Sequence, residues 1–482
     1  MRRAISVTIA GTGLVYRTLA ILILCIYVAS AAYARVGGAG GHSSGGSHGG
    51  GGHSSSHSSS HTSHHSSNYS GSGGGDSADL STIVMVIAVV LIVIWLISKS
   101  NGWSANTVDT APVVPAIPFP HGLDAQKVGI SFLAIQDAWS RKDLTGVRRW
   151  LSDGMYQRLT TQFVMMNKLD QVNVLNSIHI AHIAAVNTDT DGNFHTVDVA
   201  ISFTMDDSFT SGRYPQFNED FRSDGDTEYW TFIKRTDSSS EKDLYDNANC
   251  PNCGAPFVVK MGEICRCASC NTLANSASYD WVLSEITQAE AYGRSRGAKL
   301  SSSDELNKLL HTDPFFAVQR MEDIASNVFM QVMQVCSGDD VKALSRFADG
   351  PTTFAIMQQK QNIGSFLFDR LYLDRVTLSN YRLDGDIITL GFDVIANYRR
   401  VAINGKDLHM LDEDFVTQRC TLQLSRSKDV YTKAGVGETV YSHECSSCGA
   451  PFTDTTIDHC TYCDEPTVDK KRNWVLTEFN WG

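Results

Sequence analysis

The clearest structural pattern of this chain lies in two stretches, VNTDTDGNFHTVDVAISFTM (186–205) and LSNYRLDGDIITLGFDVIAN (378–397). In both, an Asp-Gly pair separates two runs in which apolar and polar residues alternate. Alternation with a period of two is typical of a half-buried strand, and Asp-Gly favours a tight hairpin turn. Each stretch therefore predicts an antiparallel β-hairpin.

The residues on either side of these hairpins also repeat in the same order. AWSRKDLTGVRRWLSDGMYQRL (138–159) parallels VCSGDDVKALSRFADGPTTFAI (335–356), and DWVLSEI (280–286) parallels NWVLTEF (473–479). The upstream pair predicts a helix, a break, and a second helix that ends at a glycine. Together these matching segments predict an internal duplication.

Each half is expected to run helix, helix, three strands, an insert and a last strand. A curved antiparallel sheet around helices satisfies this order, so the predicted fold class is α+β with two cone-like units. We place the first domain at 123–290 and the second at 314–482, with a linker at 291–313. A cone-like unit often leaves a cavity between helices and sheet, which could bind an apolar ligand or peptide.

The insert of each half contains two Cys-x-x-Cys pairs. Four thiolates from two facing pairs form a closed tetrahedral site that is typical of structural zinc. We therefore predict two zinc ions, one in a ribbon at 249–272 and one in a ribbon at 444–465. Gly254 and Gly449 suit the tight turns beside the sulfurs. The expected ligands are Cys250, Cys253, Cys267 and Cys270 in the first ribbon and Cys445, Cys448, Cys460 and Cys463 in the second.

Other residues near the ribbons have simpler interpretations. Cys265 is a bystander or an alternative ligand, and His443 and His459 are surface groups or supports for the ligands. Cys336 and Cys420 lie in apolar or strand contexts and are expected in the core. Disulfides or a redox pair are the alternative for the paired cysteines, and a cytoplasmic location disfavours disulfides.

The first hundred residues predict attachment to a membrane. Residues 1–34 contain a basic start, the apolar run LAILILCIYV (19–28) and a small-residue pattern, which indicates a signal peptide or an uncleaved first membrane segment. Residues 79–99 include nineteen consecutive uncharged, mostly aliphatic residues, enough for a transmembrane helix.

Two linkers flank the predicted transmembrane helix. Residues 35–78 are rich in Gly, Ser and His and are expected to be disordered, since they lack apolar side chains for a core. Their histidines could capture metal ions, although a flexible spacer is the simpler interpretation. Residues 100–122 contain several prolines and predict a semi-rigid arm.

The distribution of basic residues predicts the orientation. Lys99, Lys127 and a cluster from Arg141 to Arg149 follow the apolar helix, whereas Arg35 is the one basic residue between the two apolar segments. By the positive-inside rule, the Gly/Ser/His-rich segment lies outside and the folded body lies in the cytoplasm. The net charge of −12 disfavours nucleic acid as a partner.

Few residues suggest catalysis. His179 and His182 could line a cavity, and Asp198 or Asp393 on the equivalent strands could act as a general base. A core role for the histidines and an outward orientation for the aspartates are the simpler interpretations. Asp206-Asp207 and Glu219-Asp220 predict solvated loops.

The arrangement resembles bacterial membrane proteins with a Tim-forty-four-like domain, named for a subunit of the mitochondrial import inner-membrane translocase. The resemblance covers ARVGGAGG (34–41), the helix at 127–140 and strands through 186–205 and 226–234, with a fainter match over 315–400. It implies the cone-shaped fold of the nuclear-transport-factor-two superfamily, here duplicated and carrying zinc inserts.

These features together predict a non-catalytic scaffold in the bacterial inner membrane. Its expected partners are the membrane itself and a protein or lipid bound through the paired cone-like domains. A small-molecule sensor or enzyme that uses a cone cavity, or metal capture by the histidine-rich segment, is the alternative.

Overall fold

The computed structural model describes most of the chain after residue 114. The described residues are 34–35, 38–39, 115–238, 243–257, 261–262, 265–289, 291–292, 304–363, 366–404, 407–432, 445, 447–450 and 457–482. The predicted apolar segments 1–34 and 79–99 lie outside these ranges, apart from Ala34. Within the described ranges, no helix is both long enough and apolar enough to cross a membrane.

The first part of the fold is a four-stranded antiparallel sheet with two preceding helices. Its strands follow one another in chain order across the sheet, β3-β4-β5-β6. A single 3-10 turn at Arg148–Trp150 joins the helices. The helices are α1 (Ala125–Ser140) and α2 (Asp153–Lys168), and the strands are β3 (Gln171–Asp191), β4 (Phe194–Ser211), β5 (Glu219–Arg235) and β6 (Val282–Gln288). Near the N-terminus, the short strands β1 (Ala34–Arg35) and β2 (Gly38–Ala39) pair with each other, and β2 also lies against β6.

The second part follows a similar order of elements, with an additional helix at its start and an additional short strand. Its antiparallel sheet has the order β11-β10-β8-β7, and the short strand β9 pairs with β8. The helices are α3 (Asp304–Thr312), α4 (Val318–Cys336) and α5 (Gly350–Ile363), and the strands are β7 (Phe366–Asp384), β8 (Ile387–Asn404), β9 (Asp407–Met410), β10 (Val416–Ser427) and β11 (Val475–Asn480). The predicted α+β class with two antiparallel sheets is confirmed. Strand β2, which lies against β6 of the first sheet, also lies against β7 of this second sheet.

Both predicted hairpins are present. The first joins β3 to β4 and the second joins β7 to β8, each with the Asp-Gly pair at the turn. Gly192 and Gly385 both have a φ of 58°, a conformation that glycine adopts without steric cost.

The predicted helix end at Gly154 and at Gly350 is wrong, because a helix begins at these positions in each half. Helix α2 begins at Asp153, where Ser152 Oγ accepts a hydrogen bond from the backbone N–H of Met155 (3.1 Å), and Gly154 lies in its first turn. A Cβ on Gly154 would lie 2.2 Å from Asp323 Oδ1 on α4. Glycine therefore allows two helices to approach closely here.

Aromatic side chains fill the space between the helices and the first sheet. Phe132 on α1 lies 4.9 Å from Phe203 on β4 and 5.3 Å from Trp230 on β5, measured between ring centroids. All three side chains are buried. Between α1 and strands β4 and β5, the interior is therefore a packed core rather than a cavity.

The two halves share their cores. Met165 of α2 packs in the core formed mainly by the second half, and Tyr372 of β7 packs in the core formed mainly by the first. Helix α2 lies along α4. Residues from both sheets therefore form one compact body.

Candidate metal centres

Each cysteine-rich insert occupies the same place in its sheet. The first insert connects β5 to β6, which are neighbours in register at Ile233 and Val282. The second connects β10 to β11, which are neighbours at Ser425 and Val475. Each insert therefore replaces the turn between the last two strands of a sheet.

The first insert brings its four predicted ligands together. Cys250 Sγ lies 3.6 Å from Cys270 Sγ, and Cys253 Sγ lies 3.8 Å from Cys267 Sγ. All four sulfurs lie within 4.8 Å of one another. Sulfurs around a tetrahedral zinc ion with 2.3 Å bonds are about 3.8 Å apart, whereas a disulfide needs about 2 Å. The group fits a metal ion and not two disulfides.

The second insert repeats this geometry. Cys445 Sγ lies 3.5 Å from Cys463 Sγ, and Cys448 Sγ lies 3.7 Å from Cys460 Sγ. These four sulfurs also lie within 4.8 Å of one another. The structure thus confirms that each predicted set of four cysteines can hold one metal ion.

All four Cys-x-x-Cys turns have the same backbone. The first cysteine of each pair accepts a hydrogen bond from the backbone N–H of the residue after the second cysteine, at 2.8–2.9 Å. That residue has a positive φ of 58–75°. The four residues are Gly254, Asn271, Gly449 and Asp464.

The predicted role of the two glycines is confirmed, but Asn271 and Asp464 were missed as turn residues. Asparagine and aspartate are enriched several-fold among the non-glycine residues with positive φ. Their position directly after the second cysteine was the available signal.

Nearby donors lower the pKa of at least one thiol in each group. The hydroxyl and the backbone N–H of Thr272 lower the pKa of Cys270 to about 5. Burial opposes ionisation of Cys445, but the backbone N–H groups of Cys448 and Ser447 outweigh it and lower its pKa to about 6. Thiolates are the form that binds metal, but burial raises the pKa of Cys250 to about 12, so the thiols of one group differ in how readily they ionise.

A buried arginine attaches the first ribbon to the body. The Arg148 side chain is fully buried, and its Nε donates to the backbone carbonyl of Gly262 (2.8 Å). Its guanidinium also forms an ion pair with Asp153 at the start of α2. Asn275 Nδ2 donates to Asp153 Oδ1 (3.1 Å) from the chain that leaves the ribbon. The first ribbon is therefore held against α2.

Ion pairs attach the end of the second ribbon. Arg472 Nη2 lies 3.4 Å from Glu465 Oε2, and Lys470 Nζ lies 3.2 Å from Asp349 Oδ2 just before α5. The backbone N–H of Ser427 donates to the Lys470 carbonyl (2.7 Å). These contacts hold the segment between the second ribbon and β11 against the body.

Among the described residues, the other cysteines and the histidine near the ribbons are not part of either group. Cys265 is buried, and its thiol contacts Met261 Sδ at 3.4 Å in a small apolar cluster. His459 is half exposed beside Asp458 and outside the four-sulfur group, and His443 lies outside the described residues. Cys336 and Cys420 are buried in the core, as predicted.

The candidate catalytic residues do not form a common site. His179 and His182 are both exposed on β3, so their predicted core position is wrong. Asp198 is buried on β4 and accepts hydrogen bonds from Tyr292 Oη (2.8 Å) and Thr231 Oγ1 (2.9 Å), so it does not point outward. Asp393, on the equivalent strand β8, pairs with Arg419 (2.8 Å) at the surface.

The acidic pairs at 206–207 and 219–220 belong to strands β4 and β5, so their prediction as solvated loops is wrong. Asp207 is buried and accepts a hydrogen bond from Asn173. Glu219 pairs with Arg370 Nη1 and Arg399 Nη2, each at 2.7 Å. The partners of Glu219 come from the other half of the chain, which is why sequence reasoning missed them.

The chain matches no protein-family model and no curated protein. Among solved structures, it is similar to a chain described as an Ntf2 like protein involved in plasmid conjugation. The two share 8% sequence identity, and the match covers 58% of this chain and 89% of that chain with a TM-score of 0.13. A TM-score this low carries no argument about fold or function.

Proposed function

We propose that this chain is a membrane-anchored, non-catalytic binding module for a protein or lipid partner. In this proposal its two halves are duplicated units of a Tim-forty-four-like type, and a structural zinc ion braces each one. Residues 79–99 anchor the body in a bacterial inner membrane, and the body lies on the cytoplasmic side.

The equivalent positions of the two four-cysteine groups carry this proposal. Each group closes the connection between the last two strands of its sheet, where a metal ion fixes a long insert against the body. All four ligand positions of each site are supplied by cysteines, so no position remains for a substrate, as in structural zinc sites.

The surroundings of the buried carboxylate on β4 support a structural rather than a catalytic role. Asp198 Oδ1 accepts from Thr231, and Oδ2 accepts from both Tyr292 and Asn187. A general base needs an oxygen that can reach a substrate proton. Both oxygens of Asp198 are already engaged.

The binding function is tested by crosslinking in intact membranes, followed by affinity capture of the full chain. We expect one protein or lipid to be enriched over an unrelated single-span membrane protein. The same partner should be lost when Cys448→Ser removes a metal ligand and kept when Cys265→Ser removes a cysteine outside the site. Repeated failure to enrich either a protein or a lipid would overturn the proposal.

The orientation is tested by labelling engineered cysteines with an impermeant maleimide on intact cells. One cysteine replaces Ser55 in the histidine-rich segment and the other lies near residue 300, with the unmodified chain as the background control. We expect labelling at 55 and none near 300 before permeabilisation. The contacts of β2 (Gly38–Ala39) with β6 and β7 argue against this orientation, because the start of the histidine-rich segment then lies beside the body, so the result at position 55 decides between the two. Labelling of both positions from one side overturns the orientation.

A further inference from the structure

A cleft of about 620 Å³ lies at one end of the first sheet, away from both metal centres. Four segments form it: the arm that precedes α1, the tip of the β3–β4 hairpin, the end of β5 with the residues that follow it, and Trp281 just before β6. Its volume is in the range of small-molecule sites. We propose that this cleft binds the phosphate group of a ligand, and that Lys234 supplies the charge that recognises it.

Lys234 is the uncommitted cation of the cleft. Its side chain is half buried, and among the described residues its ammonium has no hydrogen-bond or ion-pair partner. Gly122 lies beside it with a φ of 84°, and a Cβ there would lie 3.4 Å from Lys234 Nζ. The missing side chain brings the arm close without covering the ammonium.

The neighbouring residue Arg235 lines the cleft, but its charge is already paired. Arg235 makes two hydrogen bonds to Asp237, at 2.7 and 2.6 Å, and its guanidinium lies 4.3 Å from the ring centroid of Phe315. Arg235 is therefore fixed in place, and the ammonium that remains for a ligand is that of Lys234. A lysine ammonium acts as a point charge toward phosphate.

Hydrogen-bonding groups line the hairpin side of the cleft. Thr188, Thr190 and the imidazole of His195 line the hairpin tip, and Thr190 Oγ1 lies 3.5 Å from His195 Nδ1. Hydroxyl and imidazole groups can donate to phosphate oxygens, which offer several strong acceptors. Asp189 is the one carboxylate among the described lining residues, and it accepts a hydrogen bond from the backbone N–H of Thr190 at 2.8 Å.

The chemistry of the cleft contrasts with that of the whole chain. The chain has a net charge of −12, which repels anions in general. Apart from Asp189 and the Asp237-paired Arg235, the described residues that line the cleft around this half-buried ammonium are uncharged, which provides a local exception. The phosphate could belong to a soluble phosphate ester or to a lipid headgroup, and the lipid source rests on the membrane anchorage in the proposed function.

Hydrogen–deuterium exchange of the full chain in phosphatidylcholine nanodiscs tests this site. The arms are inorganic phosphate, succinate, and nanodiscs that contain phosphatidylglycerol, all at one ionic strength. We expect slower exchange in peptides covering 188–196 and 234–238 with phosphate, with phosphatidylglycerol, or with both. Protection by phosphate indicates a soluble source, and protection only by phosphatidylglycerol indicates a headgroup.

Two variants and one control make the test specific. Lys234→Gln should weaken the protection roughly tenfold or more, because it removes a charge-assisted hydrogen bond. Thr188→Val keeps the shape of the side chain at an exposed position but removes its hydroxyl. It should weaken the protection less than Lys234→Gln does, and it gives a second measurement if Lys234→Gln disturbs folding. Lys308→Gln changes the same charge on the exposed face of α3 and should behave like the unmodified chain.

Three results overturn the proposal. They are no protection in any arm, equal protection by succinate and phosphate, and full protection in a folded Lys234→Gln variant. If partner capture succeeds while the cleft shows no protection, the binding function stands and the phosphate site fails.

Discussion

Asp323 on α4 is a buried carboxylate at the closest approach of the two halves. It accepts a hydrogen bond from Ser152 Oγ (2.5 Å) and another from the backbone N–H of Gly154 (3.1 Å) at the start of α2. Burial raises its pKa to about 7, against the opposing effects of Ser152 and Arg158. The folded state therefore holds this proton more tightly than the unfolded state does.

The stability of the body should consequently fall as the pH rises through 7. An acid whose folded pKa is raised stabilises the fold fully below its unfolded pKa and loses that contribution as the pH passes its folded pKa. We expect the free energy of unfolding to drop between pH 5 and 8 by roughly 2–3 kcal/mol more in the unmodified chain than in Asp323→Asn. Urea unfolding at several pH values measures this difference.

The control for this titration is Asp393→Asn, which removes a half-exposed carboxylate from β8. Its unfolding should retain the pH dependence of the unmodified chain. Identical pH profiles for Asp323→Asn and the unmodified chain would show that Asp323 does not titrate in this range.

Gly154 is expected to be intolerant of a side chain. A Cβ there would lie 2.3 Å from the backbone carbonyl oxygen of Asp323, so α2 and α4 would have to separate. We predict that Gly154→Ala lowers the free energy of unfolding by about 1–3 kcal/mol, the usual cost of overpacking. Gly146→Ala is the matched control, since its Cβ would meet nothing within 4 Å. Equal stability of the two variants would refute the close approach.

At the scale of single residues, the sequence predicts a side chain well only when its neighbours are local. The eight cysteines are predictable because each Cys-x-x-Cys turn is complete within a few residues. Gly154 and Glu219 are not, because their decisive neighbours, Asp323 and Arg370, are more than 150 positions away in the chain.

Among the elements, the Cys-x-x-Cys turns depend most on a single backbone conformation. Asn271 has a φ of 61°, which a β-branched residue adopts only with strain. We predict that Asn271→Val releases the first metal ion to a chelator faster than the unmodified chain, because it strains the turn by roughly 1–3 kcal/mol. Release followed with a zinc-sensitive dye measures the effect.

Asn271→Gly provides the comparison, since glycine adopts this conformation freely. Its rate of metal release should stay close to that of the unmodified chain. If valine and glycine at position 271 release the metal at the same rate, the backbone of this turn does not control the site.

The hairpins were the most predictable elements, and the helix boundaries were the least. Asp-Gly turns between alternating runs encode β3–β4 and β7–β8 locally. The start of α2 depends on Ser152 as its N-cap and on the packing of Gly154 against α4. The sequence alone suggests the opposite, namely that a helix ends at Gly154.

At the scale of the whole molecule, a buried charge cluster joins the two halves. Asp369 on β7 is fully buried and pairs with Arg399 Nη2 (2.5 Å) on β8. Gln171 Nε2 on β3 donates to the other carboxylate oxygen of Asp369 (3.1 Å). Glu219 on β5 pairs with Arg399 as well, so both sheets contribute to the cluster.

Removal of the central carboxylate should be costly. Asp369→Ala leaves buried arginine side chains with fewer partners, which typically costs about 3–5 kcal/mol of unfolding free energy. Asp393→Ala also breaks an acid–arginine pair, but at the surface, where the expected cost is below about 1 kcal/mol. Chemical unfolding of both variants compares these costs. A small, equal effect for both would show that the cluster does not hold the halves together.

The zinc content of the reduced, full-length chain, measured by plasma mass spectrometry, tests whether a zinc ion braces each unit. We predict two zinc ions per chain, about one after Cys267→Ser, and two after Cys265→Ser, whose sulfur lies outside the four-cysteine group. Markedly fewer than two zinc ions in the unmodified chain, or a different bound metal, would contradict the central claim that zinc braces both units.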